Sequence, residues 1–100
     1  MCQVATTDGF DSWFAGLDSD CQAEIIAEVE LLKLFGPQLS RPHADTLNGS
    51  KHANMKELRG NIAGQVLRVA FAFDPERVAI LLVAGNKAGV GQKRFFLTSN

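Results

Sequence analysis

Two arginines in the second half of the chain stand where the sequence predicts that they meet. Met55 to Ile62 and Gln65 to Asp74 read as strands, with Ala63-Gly64 at the turn between them. A two-residue loop, or a four-residue loop over 62–65, gives one register in which paired residue numbers sum to 127. Arg59 is then directly opposite Arg68, on the same face of the sheet. Like charges so placed destabilise a ladder unless an acid absorbs them or an anion sits between them. Glu57 shares the face of Arg59 and can supply part of that neutralisation. Two guanidinium groups facing each other in this way suit an anion held between them. The plainer reading of Arg68 is a stem packed on the sheet with its head paired to an acid.

Other residues carry weaker signals. Gly85-Asn86-Lys87-Ala88-Gly89-Val90-Gly91-Gln92-Lys93-Arg94 combines glycines and bases in the manner of a phosphate-contacting loop. It does not match GxxxxGK[ST], so a nucleotide P-loop is a poor fit, and a solvated basic turn is the alternative. His43 and His52 share the segment 36–54 with Ser40 and Ser50, but no Ser-His-acid arrangement is evident. The histidines lack partners at metal-ligand spacing, and no cofactor motif is visible, so neither metal nor cofactor is expected. A loop histidine is more often a hydrogen-bonded structural residue than a proton carrier, although its pKa range suits the second role.

These residues need a scaffold, and the chain is long enough to make one. At 100 residues it is expected to form a single domain, residues 1–100. With 46% hydrophobic and 21% charged residues, wholesale disorder is excluded. The longest apolar run, Val78 to Ala84, is too short to cross a bilayer as a helix. Met1-Cys2-Gln3-Val4 has no basic stretch leading into an apolar one, so no secretory signal is expected. Cys2 and Cys21 form neither CxxC nor a disulfide framework. A reduced, cytoplasmic protein without a membrane partner follows as the expectation. Net charge is −1, but residues 1–50 hold two bases against eight acids, and residues 51–100 hold eight bases against three. Such asymmetry points to an anionic partner for one half, or to mutual neutralisation across the fold.

The element pattern follows from periodicity. Val4 to Thr6 is a short extended start. Thr7 and Asp8 are good N-caps for a helix whose Phe10, Trp13, Phe14 and Leu17 share one face. Asp18-Ser19-Asp20 caps a second helix with Ile25, Val29 and Leu32 as its stripe, widened by Ile26, Leu31, Leu34 and Phe35. Gly36-Pro37 stops it. Residues 36–54 read as a long loop, which is often functional in a compact domain. In the strand from Gln65, Leu67, Val69, Phe71 and Phe73 point one way, and Val66, Arg68, Ala70 and Ala72 the other. Asp74-Pro75-Glu76-Arg77 is a turn, and Arg77 to Ala84, apolar on both faces, is a covered strand. The expected architecture is α+β, with a helical hairpin on one face of a four-stranded, mainly antiparallel sheet.

Several stretches then resemble the HigB-type, phage-derived branch of the RelE toxin superfamily. They are residues 36–47 (GPQLSRPHADTL), Gly49-Ser50-Lys51-His52, Asn54-Met55-Lys56-Glu57-Leu58-Arg59, Arg68 to Pro75, Ala79 to Leu82, Lys87 and Arg94-Phe95. The resemblance spans about residues 4–96. It implies a RelE-like twisted sheet with the hairpin packed on one face. It also implies an endoribonuclease that cuts messenger RNA, usually on the ribosome, by attack of the RNA 2′-hydroxyl on the adjacent phosphate. Cations aimed at the charge building on the phosphorane supply the larger catalytic contribution. By this resemblance Arg59, Arg68 and Lys87 form the catalytic cluster, with His52 as the proton carrier. Lys51, Lys56, Lys93 and Arg94 contact RNA, although strand parity puts Lys56 on the other face from Arg59. His43 and Asp45 are expected to fix the loop, with Pro42 restraining its entry. The implied partners are mRNA, the ribosome and a cognate antitoxin of the helix-turn-helix HigA type, with operator DNA reached only through that antitoxin.

The chain departs from the family pattern in two ways. It has no tyrosine, and Phe95-Phe96 stand where many relatives place an aromatic hydroxyl or a histidine. It also stops at Asn100, where relatives usually continue into a C-terminal helix. The alternative expectation is therefore a catalytically impaired member that binds its antitoxin and takes part in transcriptional autoregulation without cutting RNA. A protein with this fold but an unrelated partner is a third class, since fold alone does not settle function.

Overall fold

The computed structural model describes residues 2–47 and 55–86. β1 (Val4–Thr6) leads into α1 (Asp8–Ala15) and α2 (Ser19–Phe35), followed by a 3-10 turn over Gly36–Gln38. β2 (Ala44–Thr46), β3 (Lys56–Ile62), β4 (Gln65–Phe73) and β5 (Ala79–Asn86) complete the sheet. The strand order is β1-β5-β4-β3-β2. β1 runs parallel to β5, and the other pairs are antiparallel. The α+β class is as expected, but the sheet has five strands, not four. The extra strand, β2, lies inside the segment read as a loop. Three residues between prolines, glycines and turn formers give too little alternation to detect, and pairing with β3 is what makes them a strand.

Each helix starts on the cap its sequence supplies. Thr7 Oγ1 accepts the Phe10 N–H at 3.3 Å, and Asp18 Oδ1 accepts the Cys21 N–H at 2.8 Å. That N–H holds the exposed Asp18 carboxyl below its ordinary pKa. Gly36, at φ +54°, ends α2, a backbone conformation that favours glycine. The core joins Phe10 of α1 and Ile25 and Leu32 of α2 to Leu58, Leu67, Val69, Phe71 and Leu81 of the sheet. The stripe on α2 is narrower than its apolar content suggests. Ile26, Leu34 and Phe35 are each more than half exposed, because only one side of α2 meets the sheet.

The β3–β4 hairpin sets the position of everything that follows. Its register pairs Ile62 with Gln65, Leu58 with Val69 and Arg59 with Arg68, as the turn predicts. Ala63 has φ +50° and Gly64 φ +82°, the two positive values that a type I′ turn requires. The β4–β5 pairing carries a bulge: Ala70 opposes Val83, but Phe71 opposes Leu81. The last strand consequently runs to Asn86, beyond the expected end at Ala84.

The turn offers a direct stability test. Alanine is strained at positive φ, whereas asparagine tolerates it. Ala63→Asn creates an Asn-Gly turn and is expected to raise the unfolding free energy by about 0.5–1 kcal/mol. Urea unfolding of both forms measures it.

Candidate functional site

The pleat of β3 and β4 separates two chemistries. Leu58, Gly60, Leu67, Val69 and Phe71 face the helices. A Cβ at Gly60 would meet Glu24 of α2 at 3.0 Å, which identifies that face as the helix side. Glu57, Arg59, Arg68 and Ala70 point the other way, as paired positions do. Asp45 joins them, being opposite Glu57 across the β2–β3 pair. On the far side of Arg68 its partner is Gly85 of β5, which places no side chain beside it. Lys56 pairs with Phe71 and so lies on the helix-side face, where parity puts it.

Glu57 is the centre of the opposite face. Its side chain is 3% exposed, yet it is ionisable and surrounded by sheet. Burial at that level is tolerated only when the charge is paired and its lone pairs are used. Both conditions are met. Arg59 donates to Glu57 Oε1 from Nε and Nη2, each at 2.8 Å. Arg68 donates from Nη1 to Oε1 at 3.2 Å and to Oε2 at 3.3 Å. The repulsion expected between the facing arginines is thus absorbed by one carboxylate. Charge-assisted contacts of this kind are shorter and about twice as strong as neutral hydrogen bonds.

A second acid extends the network to β2. Asp45 Oδ2 accepts from Arg41 Nε at 2.7 Å and lies 3.6 Å from Arg59 Nη2. Its other oxygen accepts the N–H of Thr46 at 2.8 Å. The Thr46 N–H first, then Arg41 and Arg59, hold the Asp45 carboxyl below its ordinary pKa. Three arginines and two carboxylates therefore share this face, leaving one positive charge in excess. The Nε of Arg68 is buried and has no hydrogen-bond partner among the described residues. An orphaned buried N–H costs about 1–3 kcal/mol and marks a place where an acceptor is wanted.

A separate pair anchors the segment entering β2. His43 Nδ1 lies 2.9 Å from Glu28 Oε1 of α2, and the His43 carbonyl accepts the Arg59 N–H at 2.8 Å. Burial pushes the Glu28 carboxyl above its ordinary pKa, against the lowering effect of His43. This pair fits the loop-fixing role expected of His43. Its acidic partner was not singled out in the sequence, although Glu28 lies three residues after Ile25 and four before Leu32, on the buried stripe of α2, where periodicity marks it as a buried acid in need of a partner. The Arg41–Asp45–Arg59 connection was hidden, since it needs β2 to exist. Lys51, His52, Lys87, Lys93 and Arg94 lie outside the described residues. Among the described residues, no cluster of three or more potential metal-ligating side chains occurs, and no helix is long and apolar enough to cross a membrane.

Comparison with known proteins agrees with the earlier resemblance. Residues 12–95 match the family described as "Phage derived protein Gp49-like". The chain is 46% identical over 87 residues to "Putative toxin HigB2" of Mycobacterium tuberculosis, a match covering 86% of this chain and 43% of that protein. It is 48% identical over 79 residues to "Putative toxin HigB3" of the same organism, covering 79% of this chain and 68% of that protein. The chain thus spans less than half the length of the first relative and about two thirds of the second.

The geometry gives two measurable expectations. Glu57→Gln keeps the shape but leaves two guanidinium groups facing each other with only Asp45, 3.6 Å from Arg59 Nη2, as a counter-charge. It is expected to lower the unfolding free energy by roughly 1.5–3 kcal/mol, read by urea unfolding at low salt. Glu28 gives a pH signature. Its native pKa is raised, so above the unfolded value of about 4.3 the folded state holds more proton than the unfolded state. Its favourable contribution is complete below that value and is lost as pH rises through the raised native pKa. Stability of Glu28→Gln relative to the parent should therefore increase from pH 4 to pH 7; a flat difference would show that burial does not govern this carboxyl.

Proposed function

The chain belongs to the Gp49-like family of HigB-type toxins, and from that premise we propose that it is the toxin of a toxin–antitoxin pair and cleaves messenger RNA. The observation that carries this reading is the Arg59–Glu57–Arg68 arrangement on the sheet face turned away from the helices. It concentrates cationic donors at one point while a buried acid keeps them in fixed positions. Preorganised donors of this kind act on charge that develops during reaction, at no further cost in reorganisation.

The reaction requires little else from the described residues. The RNA 2′-oxygen attacks the adjacent phosphorus, the bond to the 5′-oxygen breaks, and a 2′,3′-cyclic phosphate and a 5′-hydroxyl result. Guanidinium donors stabilise the phosphorane oxygens as negative charge accumulates on them. The family resemblance adds Lys87 to that cluster, His52 as proton carrier, and Lys51, Lys56, Lys93 and Arg94 as RNA contacts. Lys56, on the helix-side face, would reach RNA only around the sheet edge. mRNA on the ribosome is the proposed substrate, a HigA-type antitoxin the proposed regulator, and the cytoplasm the compartment where they meet.

The second reading has its own support. The chain contains no tyrosine, and Glu57 already occupies the Nε and Nη2 donors of Arg59. A binding module that engages its antitoxin without cutting RNA accounts for both. Induction of the 100-residue chain in bacteria separates the two readings. The ribonuclease predicts growth arrest and new mRNA 5′ ends, with Arg68→Ala reducing cleavage by about 100-fold or more. Normal growth and unchanged mRNA, with soluble folded protein in the cell, would leave the binding module as the better account.

A further inference from the structure

The side of α2 turned away from the sheet is apolar where solvent calls for polar residues. Ala23, Ile26, Ala27, Glu30 and Leu34 recur at three and four residues, and all are exposed. Among the described residues the exposed large apolar side chains are Ile26 and Leu34 on this face and Phe35 next to it, at 52%, 61% and 52%. Single exposed apolar residues are normal, but a run of them on one element marks a contact surface. Ile26 and Leu34 lie about 12 Å apart along the helix. Past Leu34 the surface continues into an open groove of about 560 Å³, lined by Cys2, Leu34, Phe35, Pro37 and Val78 among others. Space of that size takes an anchoring side chain from a partner.

The charge around this surface is one-sided. Residues 7–35 hold seven acids and one base, Lys33. Glu24 and Glu28 are committed to Asn61 and His43, and Lys33 pairs with Glu30 at 3.2 Å. Asp20 and Glu30 are exposed beside the apolar residues. An apolar strip edged by acids fits a helix whose apolar stripe is flanked by Lys or Arg. RNA has the wrong sign of charge for it. A second copy related by a two-fold axis would bring the same acids face to face.

We propose that the outer face of α2, with the groove at its C-terminal end, is the surface on which the antitoxin docks through an amphipathic helix with basic flanks. The proposal rests on the toxin–antitoxin reading for the identity of the partner. It does not depend on the ribonuclease chemistry, because α2 packs on the sheet face opposite Arg59 and Arg68. Ala23 and Ala27 leave low ground beside Ile26 and Leu34, where the side chains of a second helix interlock.

The probe is the helix-turn-helix protein encoded beside this chain, titrated into the wild-type chain by calorimetry. Ile26→Ser/Leu34→Ser is expected to weaken binding at least about 30-fold. Glu30→Lys is expected to weaken it by about tenfold and to flatten its salt dependence. All three positions are exposed, and urea unfolding checks that the variants are folded. In cells, the double variant should arrest growth as the wild type does but escape neutralisation by the co-induced antitoxin. Undiminished binding by the double variant would overturn the surface and leave the antitoxin reading intact. A neighbour that does not bind the wild-type chain would sink that reading and the proposal with it. A wild-type dimer in sedimentation, lost in the double variant, would assign the face to a second copy and overturn the proposal. Variant-sensitive binding without growth arrest would keep the surface and count against the ribonuclease alone.

Discussion

One buried carboxylate allows this sheet to present two arginines side by side. Without Glu57, Arg59 and Arg68 would be like charges opposed across an antiparallel ladder, an arrangement that weakens a sheet. With it, the opposition becomes a fixed feature: four donor contacts converge on two oxygens at 3.3 Å or less. The carboxylate in turn depends on the arginines, since a charge at that depth is unaffordable when unpaired. Neither side of the arrangement stands alone. The type I′ turn at Ala63-Gly64 places Arg68 opposite Arg59, and a slip of one residue would send an arginine into the apolar core.

The helical layer serves this face from behind. Leu58, Val69, Leu67 and Phe71 alternate with Glu57, Arg59, Arg68 and Ala70, so the packing that buries the first set also presents the second. α2 contributes at the edge as well. Glu24 accepts the N–H of Asn61 at 2.9 Å, and Glu28 holds His43, whose carbonyl caps the N–H of Arg59. The excess acid of the first half of the chain is therefore partly spent on the edge of the strand that bears the arginines. Asp45 carries the same neutralisation to the exposed Arg41.

What could be read in the sequence was local or periodic. The caps at Thr7 and Asp18, the stop at Gly36-Pro37 and the register of the β3–β4 hairpin follow from neighbouring residues, and the structure has them. The facing arginines were legible because a short turn fixes register by counting. What could not be read depends on residues far apart. β2 is a strand only because β3 is beside it, and the Glu28–His43 pair joins a helix to a turn. Exposure of Ile26, Leu34 and Phe35 could not be anticipated either, since it depends on which side of α2 meets the sheet.

The most direct measurement is a crystal structure of the wild-type chain with an uncleavable, 2′-deoxy-substituted oligonucleotide. The phosphate should lie on the sheet face of Arg59 and Arg68, within hydrogen-bond reach of a guanidinium donor, with Glu57 still bonded to both arginines. A phosphate bound away from both arginines, or one that displaces Glu57 from them, would contradict that reading.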